Sequence, residues 1–245
     1  TNSELPGATL QIVKKAADGK EELVKEWTSG KEATVVEGLA VGSYILRETA
    51  APAGYNVAAE IPFEITDKLD AAQTIVMEDA PIEVSVSKTD LQTGKNLPGA
   101  TLQIMDVEGK TIVTTIYGVE LKWTSGETPK SIAGLPAGDY ILREIAAPDG
   151  YTVAADVEFT ITDELKAAET VVMKNAPIEV NISKTDIPTD KELPGATLQI
   201  LKKAAAVTDH GEETETEEVV TTIYGEKLEW KSTGEPKNIK GLPAG

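Results

Sequence analysis

The sequence contains no cysteine and a single histidine, His210. Without thiols the chain has neither disulfide bonds nor thiolate metal sites, and one imidazole is too few for a histidine-based triad or metal centre. No nucleotide or metal motif appears elsewhere. The sequence therefore favours a protein that is not an enzyme and that uses no cofactor or metal. His210 lies in an acidic stretch, residues 208–213, which reads as a solvated loop because no ligand spacing is visible.

Basic residues are also scarce, with 23 Lys and Arg against 41 Asp and Glu, giving a formal charge of −18. Nucleic acids and anionic membranes both require a basic footprint, so neither is expected as a partner. No apolar run approaches membrane-spanning length and none resembles a signal peptide. If the protein is secreted, its targeting and anchoring segments lie outside these residues. Aromatic residues make up only 4% of the chain, so the core must consist mostly of Val, Ile, Leu and Ala.

What the sequence does contain is internal repetition. The segment YILRE begins at Tyr44 and again at Tyr140, 96 positions later (140 − 44). The segments FxIT and SKTD recur at the same interval, and LPGATLQI occurs three times. A unit of this length is a domain rather than a solenoid repeat. Proline interrupts the chain at Ala80-Pro81 and Ala176-Pro177, which predicts three units. They are a first repeat lacking its first strand, a complete middle repeat and a third repeat lacking its last strands, at residues 1–80, 81–177 and 178–245.

Short β-branched runs separated by Gly and Pro fill each repeat, a pattern that predicts an all-β sandwich. One segment, residues 162–168, is long enough for a single helical turn, which does not change the class. In the middle repeat the predicted strands are Glu83–Lys88, Ala100–Val107, Thr111–Ile116, Glu120–Trp123, Tyr140–Ile145, Val157–Thr162 and Thr170–Lys174.

Three polar residues end otherwise apolar rows of these strands. Side chains alternate between the faces of a strand, so Lys88 shares the face of Val84 and Val86. By the same count Glu144 follows Tyr140 and Leu142, and Asn175 follows Val171 and Met173. A buried lysine or glutamate is costly unless it is paired or neutralised. The plain alternative is that these are surface residues at strand ends. The three groups that we expect to point inward are Lys88, Glu144 and Asn175.

Three motifs in this order resemble the Cna-B type domains of Gram-positive surface adhesins and pilins. They are VSKTD at 86–90, GLPAGDYILREIAAPDGY at 134–151 and VMKNAP at 172–177. The resemblance covers essentially the whole chain and implies tandem Greek-key β-sandwiches of the prealbumin-like, inverse immunoglobulin-like type. It also implies a spontaneous intramolecular isopeptide bond between Lys88 and Asn175, assisted by Glu144.

The chemistry is also reasonable on physical grounds. Burial lowers the pKa of a lysine and raises that of a glutamate, which favours a neutral amine beside a protonated acid. The amine of Lys88 can attack the side-chain carbonyl of Asn175. Glu144 can polarise that carbonyl and deliver a proton to the departing ammonia. A carboxamide is a poor electrophile, so the rate must come from positioning, for which effective molarities reach roughly 10⁵–10⁸ M.

The incomplete repeats carry parts of the same set. The first repeat has Glu48 and Asp79 without a lysine that corresponds to Lys88, and in the family an aspartate also serves as the partner, with water leaving. The third repeat has Lys184 without the acid and the amide. The edge left open beside Glu48 and Asp79 is therefore expected to accept an added strand with the sequence of Glu179–Asp186.

The favoured function is a structural stalk segment of a bacterial surface adhesin, lying outside the cell and anchored through segments beyond this chain. Its partners would be neighbouring repeats, with a host matrix protein or glycan bound through other domains. A sortase-assembled pilin subunit is one alternative, although the LPGAT and LPAG segments read as turns inside the repeat. A ligand-binding adhesive module is another, in which the repeated tryptophans form a binding surface instead of packing. These tryptophans are Trp27, Trp123 and Trp230.

Overall fold

The computed structural model describes residues 4–16, 18–68, 72–164, 167–207 and 213–244. Within these residues the regular structure consists entirely of β-strands, which confirms the predicted all-β class. The first repeat contains β1 (Thr9–Lys15), β2 (Glu21–Thr28), β3 (Gly42–Ala50) and β4 (Ile61–Ile65). The middle repeat contains β5 (Glu83–Asp90), β6 (Thr101–Asp106), β7 (Lys122–Thr124), β8 (Lys130–Ala133), β9 (Gly138–Ala146), β10 (Val157–Ile161) and β11 (Glu169–Asn175). The third contains β12 (Glu179–Ile182), β13 (Thr197–Gln199), β14 (Leu201–Val207), β15 (Glu213–Val219), β16 (Glu229–Lys231) and β17 (Lys237–Lys240).

The middle repeat is a sandwich of two sheets. One sheet has the order β10-β9-β6-β7 and the other the order β11-β5-β8. Apolar side chains from both sheets meet in one core, which includes Val84, Ile104, Leu142 and Met173, all fully or almost fully buried. Each of these residues occupies the inward parity of its strand, so the period of two that governs side-chain direction also places the core.

The first and last strands of the middle repeat are neighbours. β11 runs parallel to β5, with Met173 opposite Lys88 and Asn175 opposite Asp90. On its other edge β5 pairs antiparallel with β8. The strand that carries the lysine therefore lies between two partners, and the strand that carries the asparagine lies directly beside it.

The outer repeats show what happens without such pairing. In the first repeat β2-β1-β3-β4 form one antiparallel sheet, whereas residues 33–40 and 72–80 form no strand. Those segments correspond to β8 and β11, whose shared neighbour in the middle repeat is β5. In the third repeat β12 pairs only with β17 among the described strands, and it ends at Ile182.

Two details of the sequence prediction are corrected. Thr111–Ile116 was expected to be a strand, but it forms only isolated bridges at Ile112 and Thr114 and then turns. The strand β8 was not predicted, because its residues Lys130 and Ser131 are polar and follow a proline. The helical turn expected at 162–168 falls partly outside the described residues, and Asp163 and Glu164 form an ordinary turn. None of the described residues forms a helix that could cross a membrane.

Candidate autocatalytic site

Lys88, Glu144 and Asn175 meet inside the middle repeat. Lys88 lies near the end of β5, Glu144 near the end of β9 and Asn175 at the end of β11. The exposed fractions of the three residues are 3%, 4% and 0%. One sheet of the sandwich contributes the residues on β5 and β11, and the other contributes the residue on β9. Three strand ends from distant parts of the sequence place an amine, an acid and a carboxamide in one enclosed space.

Glu144 is the centre of the cluster. Its Oε1 lies 3.4 Å from Nζ of Lys88. The side-chain amide of Asn175 donates from Nδ2 to Oε1 at 2.9 Å and to Oε2 at 3.0 Å. The backbone N–H of Ala154 donates to Oε2 at 2.6 Å, which fixes the carboxyl group from the loop after β9. One carboxyl group therefore touches both the potential nucleophile and the nitrogen that would leave.

Two polar atoms of the cluster are left without a hydrogen-bond partner among the described residues. They are Nζ of Lys88 and Oδ1 of Asn175, and both are buried. A buried polar group without a partner costs about 1–3 kcal/mol. The sequence predicts that Glu144 polarises the carbonyl group of Asn175. In this arrangement the carboxyl group instead faces the amide nitrogen, and the carbonyl oxygen has no partner among the described residues. Joining the amine to the carbonyl carbon would replace a poorly satisfied ammonium group with a neutral amide.

The electrostatics favour a reactive amine. Burial lowers the pKa of Lys88, and the nearby carboxyl group of Glu144 only partly opposes this shift. A lower pKa increases the fraction of the uncharged amine at neutral pH, and only the uncharged amine has a lone pair with which to attack. The largest influence on Lys88 is thus the removal of water by the surrounding sandwich.

Beside this site lies Trp123, which packs against the core of the middle repeat. Trp123 and Lys88 both line a cavity of about 220 Å³ that also reaches Ser125 and Lys130. Trp27 packs in the same way against the core of the first repeat. These contacts favour packing over a ligand-binding role for Trp27 and Trp123.

The first repeat holds the acid pair Glu48 and Asp79, with no residue of the chain that corresponds to Lys88. Glu48 is 4% exposed and accepts a hydrogen bond from the backbone N–H of Ala58 at 2.6 Å, as Glu144 does from Ala154. Burial raises the pKa of Glu48, and the neighbouring Asp79 raises it further. Burial likewise raises the pKa of Asp79. The same repeat has a groove of about 460 Å³, lined by Trp27, Phe63 and the non-strand segments 33–39 and 72–75.

The third repeat holds an amine without its partners. Lys184 is half-buried and lines a cavity of about 240 Å³ together with Trp230 and Glu192. Glu192 also accepts a hydrogen bond from the backbone N–H of Lys184 at 3.2 Å. His210 and the acidic stretch around it, residues 208–212, lie outside the described residues. Within the described residues no three His, Asp or Glu side chains are grouped to hold a metal ion.

Sequence reasoning missed a second buried acid at the edge of the site. Asp90 is 4% exposed and lies in register with Asn175. It accepts hydrogen bonds from the backbone of Gln92 at 2.7 Å, from Thr93 at 2.9 Å and from the hydroxyl groups of two tyrosines, Tyr151 at 3.2 Å and Tyr224 at 3.3 Å. The only signal in the sequence was the recurrence of SKTD, which gives no hint of a partner in the next repeat.

Comparison with known proteins agrees with this architecture. The domain family described as SpaA, prealbumin-like fold domain, matches residues 1–81 and 82–177. A segment of 81 residues is 37% identical to the pilus tip adhesin Cpa of Streptococcus pyogenes, and this match covers 33% of the chain and 10% of that protein.

Several solved structures are also similar. The Bacillus anthracis TIE protein matches 98% of the chain with 22% identity and a TM-score of 0.44, over 41% of its own length. A streptococcal ancillary pilin matches 98% of the chain and 81% of its own length, with 19% identity and a TM-score of 0.37. The shaft pilin SpaA of Lactobacillus rhamnosus GG matches 71% of the chain and 88% of its own length, with 18% identity and a TM-score of 0.33. The family match covers well over half of the residues, and the chain therefore belongs to the SpaA prealbumin-like domains, within the Cna-B-like domains of Gram-positive pilins and adhesins.

Proposed function

We propose that the chain is a structural segment of a Gram-positive surface pilus or adhesin, and that an isopeptide bond between Lys88 and Asn175 closes its middle repeat. The observation that carries the proposal is the carboxyl group of Glu144, which lies within 3.4 Å of the amine and within 3.0 Å of the amide nitrogen in a buried site. Family membership and the match to a pilus tip adhesin support the surface location.

The reaction begins with a proton transfer inside the cluster. The ammonium group of Lys88, whose pKa is lowered by burial, gives a proton to the carboxylate of Glu144, 3.4 Å away. Protonated Glu144 becomes a hydrogen-bond donor, and rotation of the Asn175 amide then presents Oδ1, which lacks a partner, to that donor. This hydrogen bond polarises the carbonyl group at the moment when the amine becomes nucleophilic.

The bond-forming step balances without any external reactant. Nζ of Lys88 attacks Cγ of Asn175, the Nζ–Cγ bond forms and the Cγ–Nδ2 bond breaks. Glu144 transfers protons from the attacking nitrogen to the leaving nitrogen, and ammonia departs. Each molecule reacts once, so Glu144 acts as a general acid and base without turnover. Since a carboxamide is unreactive in water, the rate must come from holding the three groups in place.

A bond at this position would carry load along a stalk. β5 and β11 are the first and last strands of the middle repeat, and they lie parallel and adjacent. Tension applied through the ends of the repeat would act on a covalent link before it acted on the hydrogen bonds of the sheets. In the first repeat Asp79 corresponds to Asn175 and Glu48 to Glu144. In the third repeat Lys184 corresponds to Lys88.

Intact mass measurement of the purified chain tests the proposal directly. We expect a mass lower than the sequence mass by one ammonia, and a cross-linked peptide that joins Lys88 to Asn175 after digestion. Lys88→Ala is the matched control and should have its full sequence mass. An unmodified mass for the parent chain, measured after complete folding, would exclude the bond while leaving the structural role to be judged separately.

An assembled pilus shaft and an adhesin stalk both fit the family. The match to the pilus tip adhesin spans a tenth of that protein, and similar solved structures include shaft and ancillary pilins. Anchoring to the cell wall and assembly by a sortase belong to this proposal, as does any host partner bound through other domains.

A further inference from the structure

A five-residue turn with the sequence TTIYG lies at the junction between each repeat and the one before it. It occupies residues 114–118 in the middle repeat and 221–225 in the third. The sequence of the first repeat has no such segment, and there β1 ends at Lys15 and β2 begins at Glu21. We refer to these two segments as the Ile–Tyr turns.

The isoleucine of each turn lies between two glycines from different repeats. At the first junction Ile116 contacts Gly54 of the first repeat and Gly134 of its own repeat, so closely that a Cβ atom on either glycine would lie 2.6 Å from it. At the second junction Ile223 contacts Gly150 and Gly241 in the same manner, and a Cβ on Gly150 would lie 2.5 Å away. Carbon atoms pack at about 3.5–4.0 Å, so only glycine leaves room for this isoleucine.

Backbone hydrogen bonds join the same residues. Ile82, the first residue after the proline junction, donates to Gly54 at 2.8 Å and accepts from Gly134 at 2.8 Å, and Ile116 donates to Gly134 at 2.9 Å. Ile178, Gly150, Gly241 and Ile223 repeat this pattern at 2.7–2.9 Å. The connection between the repeats is thus held on both sides, and the adjacent proline restricts it further.

The tyrosine of each turn reaches back to a tyrosine of the preceding repeat. At the second junction Tyr224 and Tyr151 both donate to the buried carboxylate of Asp90. At the first junction Tyr117 interacts with Tyr55 through their hydroxyl groups, and this contact raises the pKa of Tyr55. Further bonds cross the junctions, from the backbone of Val57 to Asp163 at 2.8 Å and from Ala244 to the side chain of Asp149 at 2.6 Å.

We infer that the Ile–Tyr turn is a docking surface whose partner is the Pro-x-Gly-Tyr turn of the preceding repeat, and that it holds consecutive repeats at a fixed angle. Adjacent domains move relative to each other by default, because contacts between them are small. Here a two-residue connection, a half-buried isoleucine packed between two glycines and a polar tyrosine contact act on one junction. The device occurs twice with the same residue types on both sides of the junction, which indicates that the turn and its partner together define the junction.

The absence of cysteine makes a distance measurement straightforward, because two introduced cysteines can be spin-labelled without background. Glu158 on β10 and Lys231 on β16 are exposed strand residues on either side of the second junction. In the full chain, Glu158→Cys with Lys231→Cys should give a single narrow distance distribution by pulsed electron paramagnetic resonance. Adding Ile223→Ala should broaden it, because the methyl groups that fill the space between the two glycines are removed.

Gly150→Ala provides the second perturbation, and Gly38→Ala is its matched control. Both glycines have a left-handed backbone, with φ of 81° and 77°, so both substitutions carry a similar backbone cost. Gly38 corresponds in sequence to Gly134 but has no atom within 4 Å of its would-be Cβ. We expect broadening with Gly150→Ala and no change with Gly38→Ala.

Tyr224→Phe keeps the ring and removes only the bond to Asp90, so it tests the junction even if Gly150→Ala fails to fold. We expect a smaller broadening than with Ile223→Ala. A parent distribution that is already broad would overturn the inference. So would a narrow parent distribution that stays unchanged in both Ile223→Ala and Tyr224→Phe.

Discussion

Replacement of Glu144 by glutamine separates the chemistry of the site from its packing. Glutamine has nearly the same shape, and its side-chain oxygen can still accept the hydrogen bond from Ala154 that Glu144 accepts at 2.6 Å. It cannot take a proton from Lys88 or deliver one to the leaving nitrogen. We expect Glu144→Gln to fold with the Lys88–Asn175 bond absent or formed very slowly, so that its intact mass equals the sequence mass.

The size of the stability loss follows from the loop that the bond closes. Residues 88 and 175 are 87 positions apart (175 − 88). By the chain-entropy relation used for disulfides, a cross-link over such a loop stabilises the folded state by about 4–5 kcal/mol. For a domain of this size each kcal/mol shifts the thermal midpoint by about 4–8 °C, so the middle repeat should melt roughly 16–40 °C lower without the bond.

Glu48→Gln is the matched control for this prediction. Glu48 occupies the equivalent position of the first repeat and accepts the equivalent backbone hydrogen bond, but no residue of the chain corresponds to Lys88 in this repeat. The control should change neither the mass nor the high-temperature transition of the middle repeat. Complete ammonia loss in Glu144→Gln would refute the role of Glu144. Absence of the bond with an unchanged thermal midpoint would refute the entropy argument.

Three further predictions concern other groups of the molecule. Asn175→Asp should still form the bond but release water in place of ammonia, and a mass equal to its full sequence mass would show that the amide is required. A peptide with the sequence of residues 179–186 should form a covalent adduct with the first repeat, visible on a denaturing gel, and Asp79→Ala should abolish it; an adduct that persists in Asp79→Ala would place the reaction elsewhere. Burial alone would raise the pKa of Asp90, but the hydrogen bonds from Gln92, Thr93 and the tyrosines outweigh burial and lower this pKa. The carboxylate should therefore stabilise the second junction fully above about pH 4, the pKa of an aspartate in the unfolded chain. This stabilisation is lost as the pH falls through the lowered pKa of the folded state. The spin-label distance distribution across that junction should broaden only in acid, and broadening near neutral pH would contradict this assignment.

The inward direction of Lys88, Glu144 and Asn175 follows from the sequence because strand periodicity is a local property. Counting by twos from Val84 or Met173 requires no knowledge of the partner strand. The distances between the three groups did not follow in this way, because they depend on the parallel register of β5 and β11, which pairs residues 85 positions apart (173 − 88). Register of this kind is set by the whole sheet and has no signature in either strand alone.

The two errors in strand assignment have a common physical origin. Thr111–Ile116 is rich in β-branched residues, which have high strand propensity, yet Ile116 is used to fill the junction between two repeats. β8 has the opposite character, since Lys130 and Ser131 are exposed while Ile132 alone is buried. Pairing with β5 is sufficient to make it a strand. In both segments the tertiary contact overrides the local preference.

The same dependence on pairing determines when the bond can form. β5 extends through Lys88 to Asp90 because β11 pairs with it over seven residues, and Lys88 is then almost completely buried. Lys184 follows Ile-Ser where Lys88 follows Val-Ser, so the local sequences are similar. However, β12 ends at Ile182, and Lys184 stays half-buried beside a cavity. The last strand of the repeat therefore contributes to the desolvation that lowers the pKa of Lys88, and it also delivers Asn175. On the proposed mechanism the amine would become reactive only when its partner arrives, so the bond would follow folding and lock a repeat that has already formed.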